Sequence, residues 1–197
     1  MIKEDLLLLF GAEERCYDAD DIIFSEGDLP MFFYLIIKGK VKLNNYNDLG
    51  KEFIQAIVTS GQSIGLSSLF TDMIYPKNAV AIEKCEILRL SKTAFVTLLE
   101  QHPEYYSKII HCLSEHIHYK FMMMQSMAFH NPSQKLLTLM NYLKYECSEH
   151  EPFSLQIPLT RQQLASLTGL SVETVIRVIK NLEKQGVVKI QNRKIFY

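Results

Sequence analysis

The sequence has 197 residues, 48% of them apolar and 22% charged, with a net charge of −1. That balance excludes disorder and collagen-like structure, and a chain of this length can bury a sizeable core without covalent staples. The longest apolar run, residues 31–37, is far too short to cross a bilayer, and the apolar stretch at 6–10 is too short for a secretory signal, so a soluble, cytoplasmic protein is expected.

Residues 3–10 suit a short helix. Beyond them, Gly27, Gly39, Gly50 and Gly61 recur at intervals of eleven or twelve residues. The β-rich segments between them, 32–37, 40–46 and 53–59, read as strands. In the second, Val41 and Leu43 alternate with Lys40, Lys42 and Asn44, and Asn47-Asp48-Leu49-Gly50 signals a hairpin to the third. Further strands are expected at 79–82 and 86–90. Regular turns around short strands predict an antiparallel barrel or jelly roll over roughly the first 90 residues.

The periodicity then changes. A short helix is expected at 93–101, halted near His102-Pro103. From Glu104 to about Phe129 there is no glycine or proline, and Tyr106, Ile110, Leu113, Ile117, Phe121, Met124 and Ala128 fall on one stripe. A helix of that length spans about 37 Å, longer than one small domain needs, so the stripe is read as a seam with a second copy of the chain rather than as packing along its own barrel. At Asn131-Pro132-Ser133 the proline disfavours helical geometry at Asn131, and Ser133 can cap a new helix running to about Cys147. This break is the expected hinge. A polar stretch at 148–158 follows, with a short strand candidate at 153–157.

Charge divides at the same place: residues 1–130 carry a net −5 and residues 131–197 a net +4. A basic C-terminal domain on an acidic body suggests a polyanion partner for that domain alone. Its residues 161–180 read RQQLASLTGLSVETVIRVIK. Thr160 can cap a helix, with Gln163 completing a capping box, and the small Ala165 lets two helices approach. Gly169 suits a left-handed turn, Ser171 caps a second helix, and Val175, Val178, Ile179 and Leu182 form that helix's inner face. This is the spacing of a helix-turn-helix. Gln185-Gly186 ends the second helix, and segments 187–190 and 194–197 pair as a wing with Arg193 and Lys194 at its tip, suited to phosphate contacts.

On the second helix Glu173, Arg177 and Lys180 share the outward face at i, i+4 and i+7. On an isolated helix Glu173 and Arg177 would be a surface pair worth a few tenths of a kcal/mol. In the N-terminal half of a recognition helix they point to base readout, Arg177 donating to guanine O6 and N7 and Glu173 accepting from cytosine N4. Thr160, Arg161, Gln162, Ser171 and Thr174 complete the expected DNA-facing set.

The order β-roll, long helix, hinge and winged helix resembles the Crp/Fnr superfamily of bacterial transcription regulators over nearly the whole chain. Thr160-Arg161-Gln162-Gln163 through Ser171-Val172-Glu173-Thr174-Val175-Ile176-Arg177 looks like that family's helix-turn-helix, and Glu173 with Arg177 matches the arrangement its members use on a TGA-type half-site core. Val172 stands where the cyclic-AMP-binding members carry a further basic residue. Ile23-Phe24-Ser25-Glu26-Gly27-Asp28 and the stretch at 34–41 look like the family's cyclic-nucleotide-binding roll.

The resemblance implies an α+β chain with an N-terminal antiparallel β-roll (jelly roll) as sensor at 1–102, a dimerisation helix at 103–130 and a winged helix-turn-helix at 131–197. It further implies a regulator, not an enzyme, that binds palindromic double-stranded DNA as a homodimer, with RNA polymerase as a further partner and no membrane. The effector pocket would be drawn from Gly65, Leu66, Ser67, Ser68, Lys77 and Asn78. Cyclic-AMP binders carry Gly-Glu-Leu and Arg-Ser/Thr-Ala there. Leu66 cannot accept a bond from a ribose hydroxyl, and Lys77 lacks the planar fork that grips a cyclic phosphate in two places, so cyclic AMP is not the expected effector and no cofactor is assigned.

Other readings stand beside this one. The first is a ligand-binding signalling protein whose winged helix contacts protein. The second is a haem- or metal-dependent sensor of the same family: His111, Cys112, His116 and His118 crowd the long helix, and Cys112 and His116 at i, i+4 could share a metal, although interface and surface roles are commoner. A metal-dependent jelly-roll enzyme is set aside because residues 1–101 contain no histidine. Cys16, Cys85, Cys112 and Cys147 form no CxxC pair and read as buried free thiols.

Overall fold

The computed structural model describes residues 2–71, 73–128, 130–147 and 151–197. The chain divides into two units, Met1–Glu115 and His116–Tyr197. The first begins with helix α1 (Glu4–Leu9), followed by strands β1 (Glu13–Tyr17), β2 (Ile22–Phe24), β3 (Phe32–Lys38), β4 (Lys40–Tyr46), β5 (Glu52–Thr59) and β6 (Ser63–Ile64). Helix α2 (Leu66–Thr71), strands β7 (Asn78–Ala81) and β8 (Cys85–Ser91), helix α3 (Lys92–Gln101) and helix α4 (Glu104–Met127) come next, and α4 continues past the unit boundary.

The strands form two antiparallel sheets, in the orders β1-β8-β3-β6 and β2-β7-β4-β5. The apolar run at 31–37 becomes intelligible here, because β3 is covered on both faces. Tyr34 and Ile36 join Phe24, Val41, Val58, Ala79 and Ile87 in one cluster. Phe33 and Leu35 point the other way, into a second cluster with Leu7, Leu69, Leu88, Phe95, Leu98 and Ile109. Alternate side chains of a strand point to opposite faces, so a strand buried on both sides must be apolar throughout. Phe33 stacks on Phe95 of α3 with ring centroids 4.2 Å apart, and the Ser91 hydroxyl caps that helix by accepting the Ala94 N–H at 3.3 Å.

Strands β1 and β2 and helix α2 are among the short elements that carry no readable pattern. Strand β1, Glu-Glu-Arg-Cys-Tyr, is almost wholly exposed, so no apolar alternation marks it. It is held by its ladder with β8 and by Glu13, whose carboxylate accepts from Arg15 at 2.6 Å and from Arg89 at 2.9 Å. Strand β2 and helix α2 are too short to show a period.

Helix α4 is two-faced, which the single-stripe expectation did not capture. Tyr105 and Ile109 are buried, and Leu113 is partly buried against the same cluster of the first unit. Tyr106 and Ile110 in the first unit, and Ile117, Phe121 and Met124 in the second, are 40–65% exposed. Leu113 therefore leaves the exposed set, because at i+4 from Ile109 it falls on the inward face. Ala128 lies just past the helix, and the expected end at Phe129 lies outside the described residues.

The second unit contains the rest of α4, then α5 (Pro132–Glu146), α6 (Arg161–Thr168), α7 (Val172–Lys184) and the strands β9 (Lys189–Gln191) and β10 (Lys194–Phe196). The start of α5 corrects the expected cap. Asn131, not Ser133, is the N-cap; its side-chain oxygen accepts the Ser133 N–H at 2.9 Å, and Pro132 occupies the first turn, where its missing donor costs nothing. Residues 153–157 form no strand of their own, and the start of the expected linker at 148 lies outside the described residues. Leu155 and Ile157 instead add their backbone to the wing, Leu155 exchanging hydrogen bonds with Tyr197 and Ile157 donating to Ile195 at 2.8 Å. All four thiols are free, but only Cys85 is buried, while Cys16 and Cys147 are exposed and Cys112 is intermediate, so burial of all four does not hold. No helix among the described residues is long and apolar enough to cross a membrane.

Candidate nucleic-acid interface

The interface is built by two capped helices. The Thr160 hydroxyl accepts the Gln163 N–H at 3.1 Å and the Gln163 side chain accepts the Thr160 N–H at 2.8 Å, so α6 begins on a complete capping box. It ends at Gly169, whose φ of 69° is the left-handed turn that turns the chain toward α7. The Ser171 hydroxyl opens α7 by accepting the Thr174 N–H at 3.2 Å. Val175, Val178, Ile179 and Leu182 are buried, as the periodicity requires, and Ala165 is buried on α6.

With those four residues facing inward, Glu173, Arg177 and Lys180 face solvent. Arg177, Lys180, Asn181 and Lys184 border a shallow concavity of about 450 Å³ with Val178 at its floor. Asn181 and Lys184 were missed in the sequence reading, although Lys184 repeats the outward period at i+4 from Lys180. Glu173 is fully exposed, and its carboxyl is held below the ordinary carboxylate range by its own backbone N–H and then by the Ser171 hydroxyl. A depressed value keeps Glu173 ionised, and hence a hydrogen-bond acceptor only, at neutral pH and somewhat below.

The wing closes on a two-residue turn, Asn192-Arg193, with φ of 48° and 64°, so the hairpin has the left-handed residues that match strand twist. Arg193 and Lys194 are exposed there. Arg161, among the residues expected to face DNA, reaches the wing turn: one guanidinium nitrogen donates to the Arg193 carbonyl at 2.5 Å. It ties the first turn of α6 to the wing, a role that no local pattern encodes. Gln162 is exposed on the same turn, whereas the hydroxyls of Thr160 and Ser171 are engaged as caps.

Of the six residues assigned to an effector pocket, Gly65, Leu66, Ser67 and Ser68 lie at the start of α2, and Lys77 and Asn78 lie at the start of β7. Leu66 is buried in the helix-side cluster with Phe33, Leu69 and Phe95, and Ser68 is buried while Ser67 is exposed. The Asn78 side chain is a strut, accepting the Glu26 N–H at 2.9 Å and donating to the Asn44 carbonyl at 3.3 Å. Lys77 is only 8% exposed. At Gly65 a Cβ would lie 2.9 Å from the Tyr75 ring and 3.3 Å from Phe24, so only glycine lets this backbone meet the aromatic pair. Tyr75 is 2% exposed, stacks on Phe24 at 3.8 Å, and its hydroxyl has no hydrogen-bond partner among the described residues; burial raises its pKa well above the ordinary phenol value. Among the described residues, no three His, Cys, Asp or Glu side chains gather as a metal site, and His111 pairs with Glu115 at 3.2 Å.

Comparison with known proteins agrees with this architecture. A cyclic nucleotide-binding domain model matches residues 14–102, and a Crp-like helix-turn-helix domain model matches residues 134–196. The cAMP-activated global transcriptional regulator CRP of Haemophilus influenzae is 29% identical over 181 residues, covering 91% of this chain and 81% of its own length. The regulator Vfr of Pseudomonas aeruginosa, also described as cAMP-activated, is 27% identical over 191 residues, covering 94% and 89%. Among solved structures, the c-di-GMP-responsive regulator CLP of Xanthomonas campestris superposes with a TM-score of 0.76 at 22% identity, covering 96% of this chain and 95% of that one.

The capping box makes its own prediction. Thr160→Ala leaves the Gln163 N–H without its partner and should lower stability by about 0.5–2 kcal/mol, read as a fall in melting temperature, with Thr160→Ser retaining most of it.

Proposed function

We infer the action of this chain from its family: it belongs to the Crp/Fnr superfamily of transcription regulators, and it is a regulator of that type rather than an enzyme. The segments at 1–102, 103–130 and 131–197 are proposed to act as sensor roll, dimerisation helix and DNA-binding domain. The single observation that carries the DNA reading is the outer face of α7, where a capped helix held by four buried aliphatics presents Glu173, Arg177 and Lys180 to solvent.

Arg177 offers a planar fork of donors that matches guanine O6 and N7, and the ionised Glu173 one turn earlier suits the amino group of a neighbouring cytosine. Arg193 and Lys194 on the wing contact phosphate, which carries no sequence information, and Arg161 fixes the wing turn from behind. Thr160, Gln162, Ser171 and Thr174 border this face, the hydroxyl caps setting the helix starts. The net +4 of residues 131–197 supports a polyanion partner and speaks against a winged helix that contacts protein.

A homodimer is proposed along α4. Tyr106, Ile110, Ile117, Phe121 and Met124 are large apolar side chains left exposed in one copy, more than scattered surface residues would account for. Two-fold symmetry then pairs half-sites about 34 Å apart in a palindrome. For the roll, an effector other than cyclic AMP is proposed. The support is Leu66, an apolar side chain buried in the core, and Lys77, a cation without the planar fork that grips a cyclic phosphate in two places.

Each part has its measurement. Arg177→Ala should cost about 1–3 kcal/mol per half-site and relax preference at one G·C pair, with Arg177→Lys rescuing only in part, whereas Arg193→Ala or Lys194→Ala should weaken all sequences alike and flatten the salt dependence by about one unit. A binding matrix over every half-site substitution at two salt concentrations separates the two; uniform loss in Arg177→Ala would make Arg177 a phosphate contact. Ile117→Glu or Phe121→Glu should give monomers in sedimentation, since each would bury an unpaired charge in the seam, and an unchanged dimer would move the interface off α4. Millimolar cyclic AMP should leave the melting temperature unchanged, because a ligand that binds only the folded state raises it by mass action.

A further inference from the structure

We propose that Ile176 is a specificity-determining residue of the α7 surface, recognising the C5-methyl group of a thymine in the base pair next to the one contacted by Arg177. The proposal rests on the base-readout reading of Glu173 and Arg177 and extends it to a residue that the reading does not use.

At roughly 100° per residue, Glu173, Ile176, Arg177 and Lys180 lie within one arc of about 100° on the side of α7 opposite Val175, Val178 and Leu182. Ile176 is 40% exposed. The other exposed residues of α7 are Glu173, Arg177, Lys180, Asn181, Glu183 and Lys184, all charged or polar. The core of the unit is completed by the residues on either side, Val175 on one and Val178 with Ile179 on the other, all buried. A single exposed isoleucine is ordinary on a protein surface. Its position, in the same arc as the two side chains assigned to base edges and one residue before Arg177, is what gives this one a consequence.

Any residue in that arc of a helix lying in the major groove meets a base edge. Isoleucine has no hydrogen-bonding group, and its β-branch holds one χ1 rotamer in a helix, so its methyl groups are presented without much entropy to lose. Facing the amino group of adenine or cytosine, it would displace water and supply no partner in return, which is unfavourable. Thymine alone offers an apolar group in the major groove. Against that methyl group Ile176 buries apolar area on both sides, worth roughly a four-fold gain in affinity per half-site.

The experiment uses the full-length chain and duplexes it selects from a random pool. Each thymine is replaced in turn by uracil, which removes the methyl group and leaves base pairing and the O4 acceptor intact. One thymine per half-site, beside the Arg177-dependent G·C pair, should lose roughly four-fold in affinity as uracil. Ile176→Ala should bind the thymine and uracil duplexes equally, with its fold checked by melting temperature. Equal binding of thymine and uracil at every position by the unaltered protein would overturn the proposal without recourse to any variant, and so would a difference that persists in Ile176→Ala. Arg177→Ala on the same duplexes keeps the two readings apart. Loss of guanine preference in that variant with a flat uracil series removes Ile176 alone. No change of base preference in either variant removes direct readout, and this proposal with it.

Discussion

The burial of Val175, Val178, Ile179 and Leu182 sets the rotation of α7, and what the second unit presents to a partner follows from that rotation. Burying one such side chain contributes about 1.5–3 kcal/mol, whereas a surface pair such as Glu173 with Arg177 contributes a few tenths. The core therefore decides which way the helix faces, and the outward residues are free to be chosen for a partner. Ala165 and Gly169 serve the same end, one by being small where α6 meets α7 and the other by adopting the left-handed turn between them.

The same principle runs through the first unit at larger scale. Strand β3 separates two apolar clusters, so Phe33, Tyr34, Leu35 and Ile36 are committed to packing. Polar function is pushed to the edges, where Asn78 braces the 25–28 turn and Glu13 joins β1 to Arg89. At Gly65 an aromatic pair occupies the position facing the backbone. A buried hydroxyl without a partner, as in Tyr75, costs about 1–3 kcal/mol, and the stacked contact with Phe24 helps to offset it.

Helix α4 shows why periodicity counted along one stripe is incomplete. The helix has an inward row, Tyr105, Ile109 and Leu113, and an outward row beginning with Tyr106 and Ile110. Rows one residue apart are about 100° apart, and both are apolar, so in the sequence they blur into one broad stripe. Only the packing of the first row against the roll separates it from the second, whose Tyr106 and Ile110 stay exposed.

What the sequence determined by itself was whatever depends on neighbours in the chain. The Thr160–Gln163 box, the Gly169 turn, the Ser171 cap and the inner face of α7 each arise within a few residues, so the helix-turn-helix and the outward face of α7 were legible without coordinates. Strands with alternation or clear turns, such as β4 and its hairpin to β5, were legible for the same reason. Tertiary structure decided whatever joins residues far apart. Arg161 and Arg193 are 32 positions apart, and Glu13 and Arg89 are 76. Tyr75 meets Phe24 and Gly65 only because β2, β6 and β7 are folded together. A capping hydroxyl or a helical period is an energy of adjacent residues and is written in their order. A contact between distant segments depends on which faces the cores have already used, and that is known only after the chain has closed.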